Sequence, residues 1–208
     1  MLKDILESVL KSLIKAIFIS SFLVAVTYFL FGDMLSQGVF LLNRMIVVEN
    51  KDDYKNIEFN TENKRLINYP SYGQVWSTIK IPKIGVEALV YHGDSLDLLK
   101  KGIGHFASSY FSGEGGTVIL AGHNSDAHFK KIVNLRNGDK VIIEAEYGTF
   151  TYEVRDSKIV DSSEIEKFNI QSDKEELIIY TCYPTDTIGY KSERYVVYLN
   201  LVGESYES

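Results

Sequence analysis

Two short apolar segments near the carboxyl end constrain the fold of this chain most strongly. Residues 177–180 and 194–202 are rich in β-branched and aromatic side chains, and a loop containing Pro184 and Gly189 separates them. This pattern is typical of two strands joined by a loop. The only cysteine of the chain, Cys182, follows the first segment almost directly. We therefore expect its thiol at a strand end, on a surface that the sheet holds still.

Arg194 opens the second of these strands and gives the cysteine a chemical partner. If the two strands are neighbours, Arg194 can project onto the surface that carries Cys182. A cysteine acts as a nucleophile only as its thiolate, and a fixed guanidinium can stabilise that thiolate or the oxyanion that forms when it attacks a carbonyl. The pair is therefore compatible with nucleophilic chemistry.

His123 follows a third predicted strand, residues 117–121, and Gly122 between them allows a sharp exit of the chain. Its ring can therefore be presented at the end of the sheet rather than within it, which suits a catalytic acid or base. Taken alone, a histidine is more often a surface or structural residue. Whether His123 is catalytic or structural therefore depends on the surrounding motif.

Short strands dominate the rest of the chain from Val75 onward. The predicted elements are strands over 78–81, 86–91, 117–121, 140–146 and 149–160, a helix over 95–101 between a Ser N-cap and Gly102, and a helical turn over 128–135. In residues 140–146 apolar and acidic side chains alternate, which predicts one buried and one wet face. Seven or eight short strands with two small helices suit a closed β-barrel, but a β-sandwich fits the pattern equally.

Several short motifs add up to a family pattern. They are Ile81-Pro82-Lys83-Ile84, Gly102-Ile103-Gly104-His105-Phe106, Ser112-Gly113-Glu114, Ala121-Gly122-His123, Thr181-Cys182 and, twelve residues after the cysteine, Arg194. Together, over residues 75–202, they resemble the sortases, the bacterial cysteine transpeptidases that anchor proteins to cell walls. Tyr-Pro after the cysteine and Arg-Tyr-Val-Val at the arginine look most like the class D branch.

The resemblance implies a mostly β fold, a closed eight-stranded sortase-like β-barrel with short helices. It also implies that His123 is the catalytic histidine, Cys182 the nucleophile and Arg194 the catalytic arginine. The implied enzyme cleaves an LPxTG-like sorting signal after its threonine through a thioester. It then transfers the protein to the amine of a cell-wall precursor similar to lipid II, while water can substitute slowly and give hydrolysis. No organic cofactor is expected, since the chain has no glycine-rich phosphate loop.

Some positions depart from the class D pattern. Asn124-Ser125 stands where arginine is frequent, Thr185 replaces an aromatic residue, and residues 191–193 replace a segment that often carries proline. These departures leave the reaction type unchanged and leave the subclass and the preferred peptide open. Residues 49–74 lack the Asp-Pro anchor of a lid segment, so we rank pilus assembly below cell-wall anchoring.

The amino terminus predicts a membrane anchor. Residues 16–31 carry no charge, and the apolar stretch lengthens to 13–32, about one bilayer span, if Lys15 snorkels. A buried core helix and a cleaved signal peptide are the alternatives, although the run is long for a signal peptide and no small-x-small site follows it. Three lysines precede the span, at positions 3, 11 and 15, which favours a cytoplasmic amino terminus and an extracellular domain.

This gives four predicted regions. They are a cytoplasmic amino terminus over 1–12, a transmembrane signal-anchor helix over 13–32, an extracellular helix and linker over 33–74, and a catalytic barrel over 75–208. Within the third region, the apolar spacing predicts a helix over 34–48, and the polar composition predicts a solvated linker over 49–74. The expected partners are sorting-signal-bearing secreted proteins, the peptidoglycan precursor and the membrane.

Other functions are less favoured by the composition. A net charge of -6 without a basic stripe argues against a nucleic-acid partner. A zinc site of His123, Asp126, His128 and Cys182 is conceivable, but its spacing matches no strong zinc signature. The acidic residues within 162–176 suit a solvated face, so we predict no metal. His105 is interpreted as structural, and His92 and His128 have weaker claims than His123. The remaining alternative is a membrane-tethered binding module of the cell envelope whose cysteine is structural.

Overall fold

The computed structural model describes residues 6–27, 29, 57–171, 173–186 and 191–207. The chain divides into two units, residues 1–42 and 43–208. In the first unit the helix α1 (Leu6–Thr27) is apolar and exposed. Its 22 residues extend over about 33 Å, so its length and composition allow it to cross a bilayer. It contains residues 13–27 of the predicted span, while residues 28 and 30–32 lie outside the described residues.

The segment before the barrel departs from the prediction. The predicted helix over 34–48 and residues 49–56 of the predicted linker lie outside the described residues. A solvated linker is wrong for residues 57–74, because Ile57 and Leu66 are buried in the main core of the second unit. In this segment β1 (Phe59–Asn60) pairs antiparallel with β2 (Arg65–Leu66).

A few apolar contacts hold this small hairpin against the barrel. The Phe59 ring stacks on the rings of Tyr147 and Tyr206, with centroid separations of 5.0 and 5.2 Å. The Ile57 amide donates a hydrogen bond of 3.0 Å to the Glu146 carboxylate. Polar residues form the turn between the two strands, at 61–64.

Eight further strands form the body of the second unit. They are β3 (Val75–Ile81), β4 (Val86–His92), β5 (Ile103–His105), β6 (Thr117–Gly122), β7 (Lys140–Ala145), β8 (Gly148–Asp161), β9 (Glu176–Tyr183) and β10 (Glu193–Tyr206). They close into a barrel in the order β10-β8-β7-β3-β4-β5-β6-β9. The predicted closed eight-stranded barrel is therefore confirmed, and the sandwich is excluded.

Short helical segments make the connections. Helix α2 (Leu96–Lys101) joins β4 to β5, which pair in parallel. Ser95 occupies the predicted N-cap position, although its side chain makes no capping hydrogen bond, and Gly102 is the C-cap residue. Single 3₁₀ turns follow β3, precede β7 and follow β8, at Pro82–Ile84, Lys130–Asn134 and Ser162–Lys167.

The strands pack on two hydrophobic clusters. On β7 the expected alternation holds, since Val141, Ile143 and Ala145 are buried, and they belong to the main core inside the barrel. A second set, which we call the outer cluster, lies on the outer side of β6, β8, β9 and β10. It contains Ile119, Val160, Ile178 and Val196, packed against Phe106, Ile165, Phe168, Ile170, Tyr180 and Tyr198.

Candidate active site

Cys182 and Arg194 lie directly opposite each other. The strands β9 and β10 pair antiparallel, and their register matches Arg194 with Cys182. Residues directly opposite each other in such a ladder send their side chains to the same face, with Cβ atoms about 4.5–5.5 Å apart. The expectation that neighbouring strands bring this pair together is thus met in the geometry.

His123 lies at the end of the strand on the other side of β9. The strands β6 and β9 are parallel, with Ala121 matched to Tyr180, so two further residues along each chain bring His123 level with Cys182. The Thr181 hydroxyl donates a hydrogen bond of 2.9 Å to the Gly122 carbonyl and ties the strands together at this point. All three predicted site residues therefore lie at adjacent strand ends, at one edge of the barrel.

The pleat of the strands places the cysteine on the outer face of the barrel. Along β9, Ile179 belongs to the main core, whereas Ile178 belongs to the outer cluster and Tyr180 packs against it. Because side chains alternate between faces, Cys182 shares the outer face with Tyr180. Cys182 is a free thiol of intermediate exposure, so it remains accessible at the end of this apolar surface.

Gly122 has a different role from the one expected. Its backbone is not in the left-handed region, so it does not supply a special turn. Instead, an added Cβ would come within 2.3 Å of the Phe129 ring, which is fully buried. The His123 carbonyl accepts hydrogen bonds from the amides of Ser125 and Phe129, at 2.9 and 3.1 Å. The segment after the histidine is thus folded back on the end of β6.

Arg194 is held by the loop that precedes β10. Its Nη1 donates hydrogen bonds of 2.9 and 2.8 Å to the carbonyls of Lys191 and Glu193. The pKa of Tyr180 is raised to about 12, chiefly by burial; the charges of Asp94 and Cys182 contribute to the rise, and the Arg194 guanidinium opposes it. Tyr180 therefore lies within electrostatic reach of both Cys182 and Arg194.

The other histidines have separate surroundings. His105 on β5 is fully buried, with its Nδ1 3.1 Å from His92 Nδ1 and its Nε2 2.9 Å from the Ser109 hydroxyl. Burial lowers the pKa of His105 to about 3, in agreement with a structural role. Burial, followed by the charge of His123, lowers the pKa of His128.

The residues of the alternative zinc site are only partly brought together. Asp126 forms ion pairs with Lys130 and Lys131 at 3.4 and 3.6 Å, and His128 Nδ1 lies 2.7 Å from the Ser125 hydroxyl. Within the part of the chain that the structure describes, no three His, Cys, Asp or Glu side chains are grouped to hold a metal ion.

The interpretation of residues 162–176 as a solvated face is wrong in part. Glu175 is buried, and its carboxylate accepts hydrogen bonds from the amides of Gly113 and Gly115 and from the Tyr152 hydroxyl. Burial raises the pKa of Glu175, although these hydrogen bonds act to lower it. Ile165, Phe168 and Ile170, which lie among the acidic residues in sequence, pack over the outer cluster.

The outer cluster is the part of the site that the motifs did not predict. A signal was present, since the runs 117–121 and 177–180 are apolar without alternation, and strands buried on both faces have this pattern. The continuous runs imply a covering layer on the outside of the barrel as well as a core inside. They do not identify which segment supplies that layer.

Comparisons with known proteins agree with the motifs. The sortase domain family model matches residues 79–202. Sortase D from Bacillus subtilis (strain 168) is 40% identical over 129 residues, which cover 62% of this chain and 65% of that protein. The match thus spans slightly less than two thirds of this relative's length.

Solved structures share the fold of the barrel. A sortase D5 transpeptidase from Clostridium perfringens matches with a TM-score of 0.63 at 27% identity, over 77% of this chain and 98% of that one. Sortase E from Streptomyces avermitilis matches with a TM-score of 0.56 at 25% identity, over 66% and 93% of the two chains. The family match covers more than half of the chain, and the resemblance inferred from the motifs is confirmed. The chain therefore belongs to the sortase family of cysteine transpeptidases, with class D among its relatives.

Proposed function

We propose that this chain is a membrane-anchored sortase that cleaves an LPxTG-like sorting signal after its threonine and joins the new carbonyl to an amine of a cell-wall precursor. In this proposal Cys182 is the nucleophile, His123 the acid and base, and Arg194 the oxyanion donor. One observation carries it. Cys182 is matched with Arg194 across the β9–β10 ladder, while His123 follows the strand on the opposite side of β9.

In the first stage the Cys182 thiolate attacks the carbonyl carbon of the Thr–Gly bond. The S–C bond forms as the carbonyl electrons move onto oxygen, and Arg194 donates hydrogen bonds to the resulting oxyanion. When the tetrahedral intermediate collapses, the C–N bond breaks. His123, as the imidazolium, gives its proton to the departing glycine nitrogen. A thioester between the threonine carbonyl and Cys182 remains.

In the second stage an amine of the cell-wall precursor attacks the thioester carbonyl. Neutral His123 accepts a proton from that amine, Arg194 again holds the oxyanion, and the C–S bond breaks to release the Cys182 thiolate. The threonine is then joined to the precursor through a new amide bond. Water attacking in place of the amine gives slow hydrolysis.

The partly exposed Tyr180, on the outer face of β9, supports a peptide substrate with apolar residues upstream of the cleaved bond. Tyr180 and Ala121 lie two residues before Cys182 and His123 and share their faces of β9 and β6. An extended peptide passing the ends of these strands would place its leucine and proline side chains against Tyr180. Its threonine carbonyl would then reach the thiol at the strand ends.

The proposed location is the cell membrane, with the amino terminus in the cytoplasm and the barrel outside. Two features support it, namely an apolar helix of sufficient length and the lysines at positions 3, 11 and 15 before the predicted span. The partners follow from this location: secreted proteins that carry the sorting signal, and the amine of a lipid II-like peptidoglycan precursor.

Mass spectrometry of the full chain in detergent micelles tests the proposal. The protein is incubated with LPxTG-like peptides, with and without oligoglycine or diaminopimelate-type amines. We expect a thioester on Cys182, release of the peptide tail and an amine-ligated product. Cys182→Ala should abolish all three, whereas Ser125→Ala should keep them. A folded wild-type protein that gives neither adduct nor cleavage with any peptide would support the binding-module alternative, to be examined next with cell-wall fragments.

A further inference from the structure

Two side-chain hydrogen bonds cross between β6 and β9 on either side of the His123–Cys182 pair. Before the pair, the Thr181 hydroxyl donates to the Gly122 carbonyl at 2.9 Å. After it, the Asn124 amide donates through Nδ2 to the Thr185 carbonyl at 3.1 Å. The second bond joins the residue next to the histidine to the loop that follows the cysteine.

The orientation of the Asn124 amide follows from its partner. The Thr185 carbonyl oxygen only accepts hydrogen bonds, so the group that faces it must be the NH₂ end of the amide. The other end, Oδ1, is buried and has no hydrogen-bond partner among the described residues. Because an unpaired buried polar atom is unfavourable, the amide contributes less to stability here than one that is paired at both ends.

Each of the two loops also has its own internal bonds. On the histidine side, the Ser125 hydroxyl lies 2.7 Å from His128 Nδ1. On the cysteine side, Lys191 Nζ donates to the Pro184 carbonyl, and Arg194 donates to the Lys191 carbonyl. These bonds shape each loop separately. They do not fix the distance between the two loops.

We infer that Asn124 is a positioning residue that sets the separation of His123 and Cys182 by tying the loop after the histidine to the loop after the cysteine. The inference rests on the proposed function, because it assigns Asn124 to the same reaction. The hydrogen bond of Asn124 goes to the Thr185 carbonyl and not to the thiol, so the residue acts through the two loops that it joins. Without the bond, the imidazole and the thiol would sample a wider range of separations, and the productive geometry would be populated less often.

The test compares variants of the full chain in detergent micelles. Asn124→Ala removes the side chain, and Asn124→Leu keeps a similar volume without the donor. Asn124→Gln restores an amide of greater reach. Ser125→Ala is the matched control, since it removes a hydrogen bond within the histidine loop that does not reach the cysteine loop. For each variant we would measure kcat and KM with a sorting-signal peptide, and the rate at which iodoacetamide alkylates Cys182 at pH 7.

We expect Asn124→Ala and Asn124→Leu to lower kcat about tenfold with KM within about twofold, as misplacement of reacting groups does. Alkylation should slow several-fold, because the imidazole that can accept the thiol proton is then less often within reach. Asn124→Gln should recover part of both losses. Kinetics and alkylation that match Ser125→Ala would overturn the inference, as would a lower kcat with unchanged alkylation. A wild-type protein that neither forms a thioester nor cleaves any peptide would instead count against the proposed function.

Discussion

Gly122 lies against the ring of Phe129, and an added Cβ at position 122 would come within 2.3 Å of the ring carbons. Phe129 is fully buried, so its ring or the backbone must shift to admit the new methyl group. We expect Gly122→Ala to lower the free energy of unfolding by about 1–3 kcal/mol, the usual cost of overpacking a core. Because His123 is the next residue, we also expect a lower kcat for the sorting-signal peptide. This loss should be seen at a temperature where the variant is still folded.

Gly203→Ala is the control for this substitution. The nearest atom to an added Cβ there is the Thr151 Cβ at 3.8 Å, an ordinary van der Waals distance. Urea denaturation of both variants gives the unfolding free energies, and peptide cleavage gives kcat. If the two variants lost equal stability, the contact with Phe129 would not be the reason for a glycine at position 122.

Arg194 is expected to act through its guanidinium and not through charge alone. Its Nη1 is already bonded to the carbonyls of Lys191 and Glu193, which fixes the group opposite Cys182. Lysine keeps the charge but loses the planar set of donors. We predict that Arg194→Ala lowers kcat by about 10²–10³-fold, the usual effect of removing an oxyanion donor, and that Arg194→Lys recovers less than about a tenth of that activity.

Single-turnover cleavage of the peptide measures this effect, with Arg155→Lys as the control. Arg155 pairs with Glu176 at 2.6 Å on a partly exposed surface, so its replacement should leave kcat within about twofold. Full activity in Arg194→Lys would show that a positive charge is sufficient at this position.

The aromatic residues that cover the outer cluster should affect substrate binding more than chemistry. The Phe168 ring lies edge-on to Tyr180 and Tyr198, each at a centroid distance of 6.3 Å, and so contributes to the surface next to the cysteine. We predict that Phe168→Ala raises KM for the sorting-signal peptide about five- to tenfold and changes kcat by less than about twofold, because lost binding that is common to ground and transition states appears in KM.

Val202→Ala provides the comparison, since Val202 is an exposed apolar residue of β10 outside this cluster. Steady-state kinetics over a range of peptide concentrations separate the two constants. A fall in kcat with an unchanged KM in Phe168→Ala would contradict a role of the cluster in binding the peptide.

His105 should make stability depend on pH. Burial lowers its pKa in the folded protein to about 3, from an ordinary value of 6.5. As the pH falls below about 6.5, His105 binds a proton in the unfolded chain but not in the folded protein. Its contribution to the free energy of unfolding is therefore complete above this pH and is lost progressively towards pH 3. The loss amounts to at most about 1.4 kcal/mol per pH unit.

His105→Gln removes the ring that binds this proton and keeps a side chain that can form hydrogen bonds. Urea denaturation at several pH values between 7 and 4 should give a shallower decline for the variant than for the wild type, whatever the stability of the variant at pH 7. Parallel declines would show that His105 contributes nothing to the acid sensitivity.

The barrel strands were predictable where the sequence carries long apolar or alternating runs. Residues 117–121, 140–146 and 177–180 gave strands close to those observed, because burial on one or both faces imposes a visible period. β5 has only three residues, one of which is Gly104, so its sequence shows no strand pattern. It is recognised as a strand only from its pairing with β4 and β6. β8 exceeds the predicted strand 149–160 by one residue at each end. β10 continues to Tyr206, four residues beyond the apolar segment 194–202, because its exposed end pairs with β8.

Within the candidate site, sequence position indicated the candidate residues but not what surrounds them. Strand ends and motifs pointed to His123, Cys182 and Arg194, and pairing placed them side by side. The burial of Glu175 could not be foreseen, because its partners Gly113, Gly115 and Tyr152 are remote in sequence. The same holds for residues 57–74, where three scattered apolar side chains are sufficient to dock a segment of polar composition.

The alternation along β9 makes the exposure of the cysteine a property of strand register. Thr181 faces inward and is buried, and Cys182 follows it on the outer face. A slip of one residue in this ladder would exchange the two, since every side chain would move to the opposite face. In a misregistered barrel the thiol of Cys182 would therefore be buried and Thr181 would be exposed instead. The reactivity of this thiol thus reports whether β9 has reached the correct pairing.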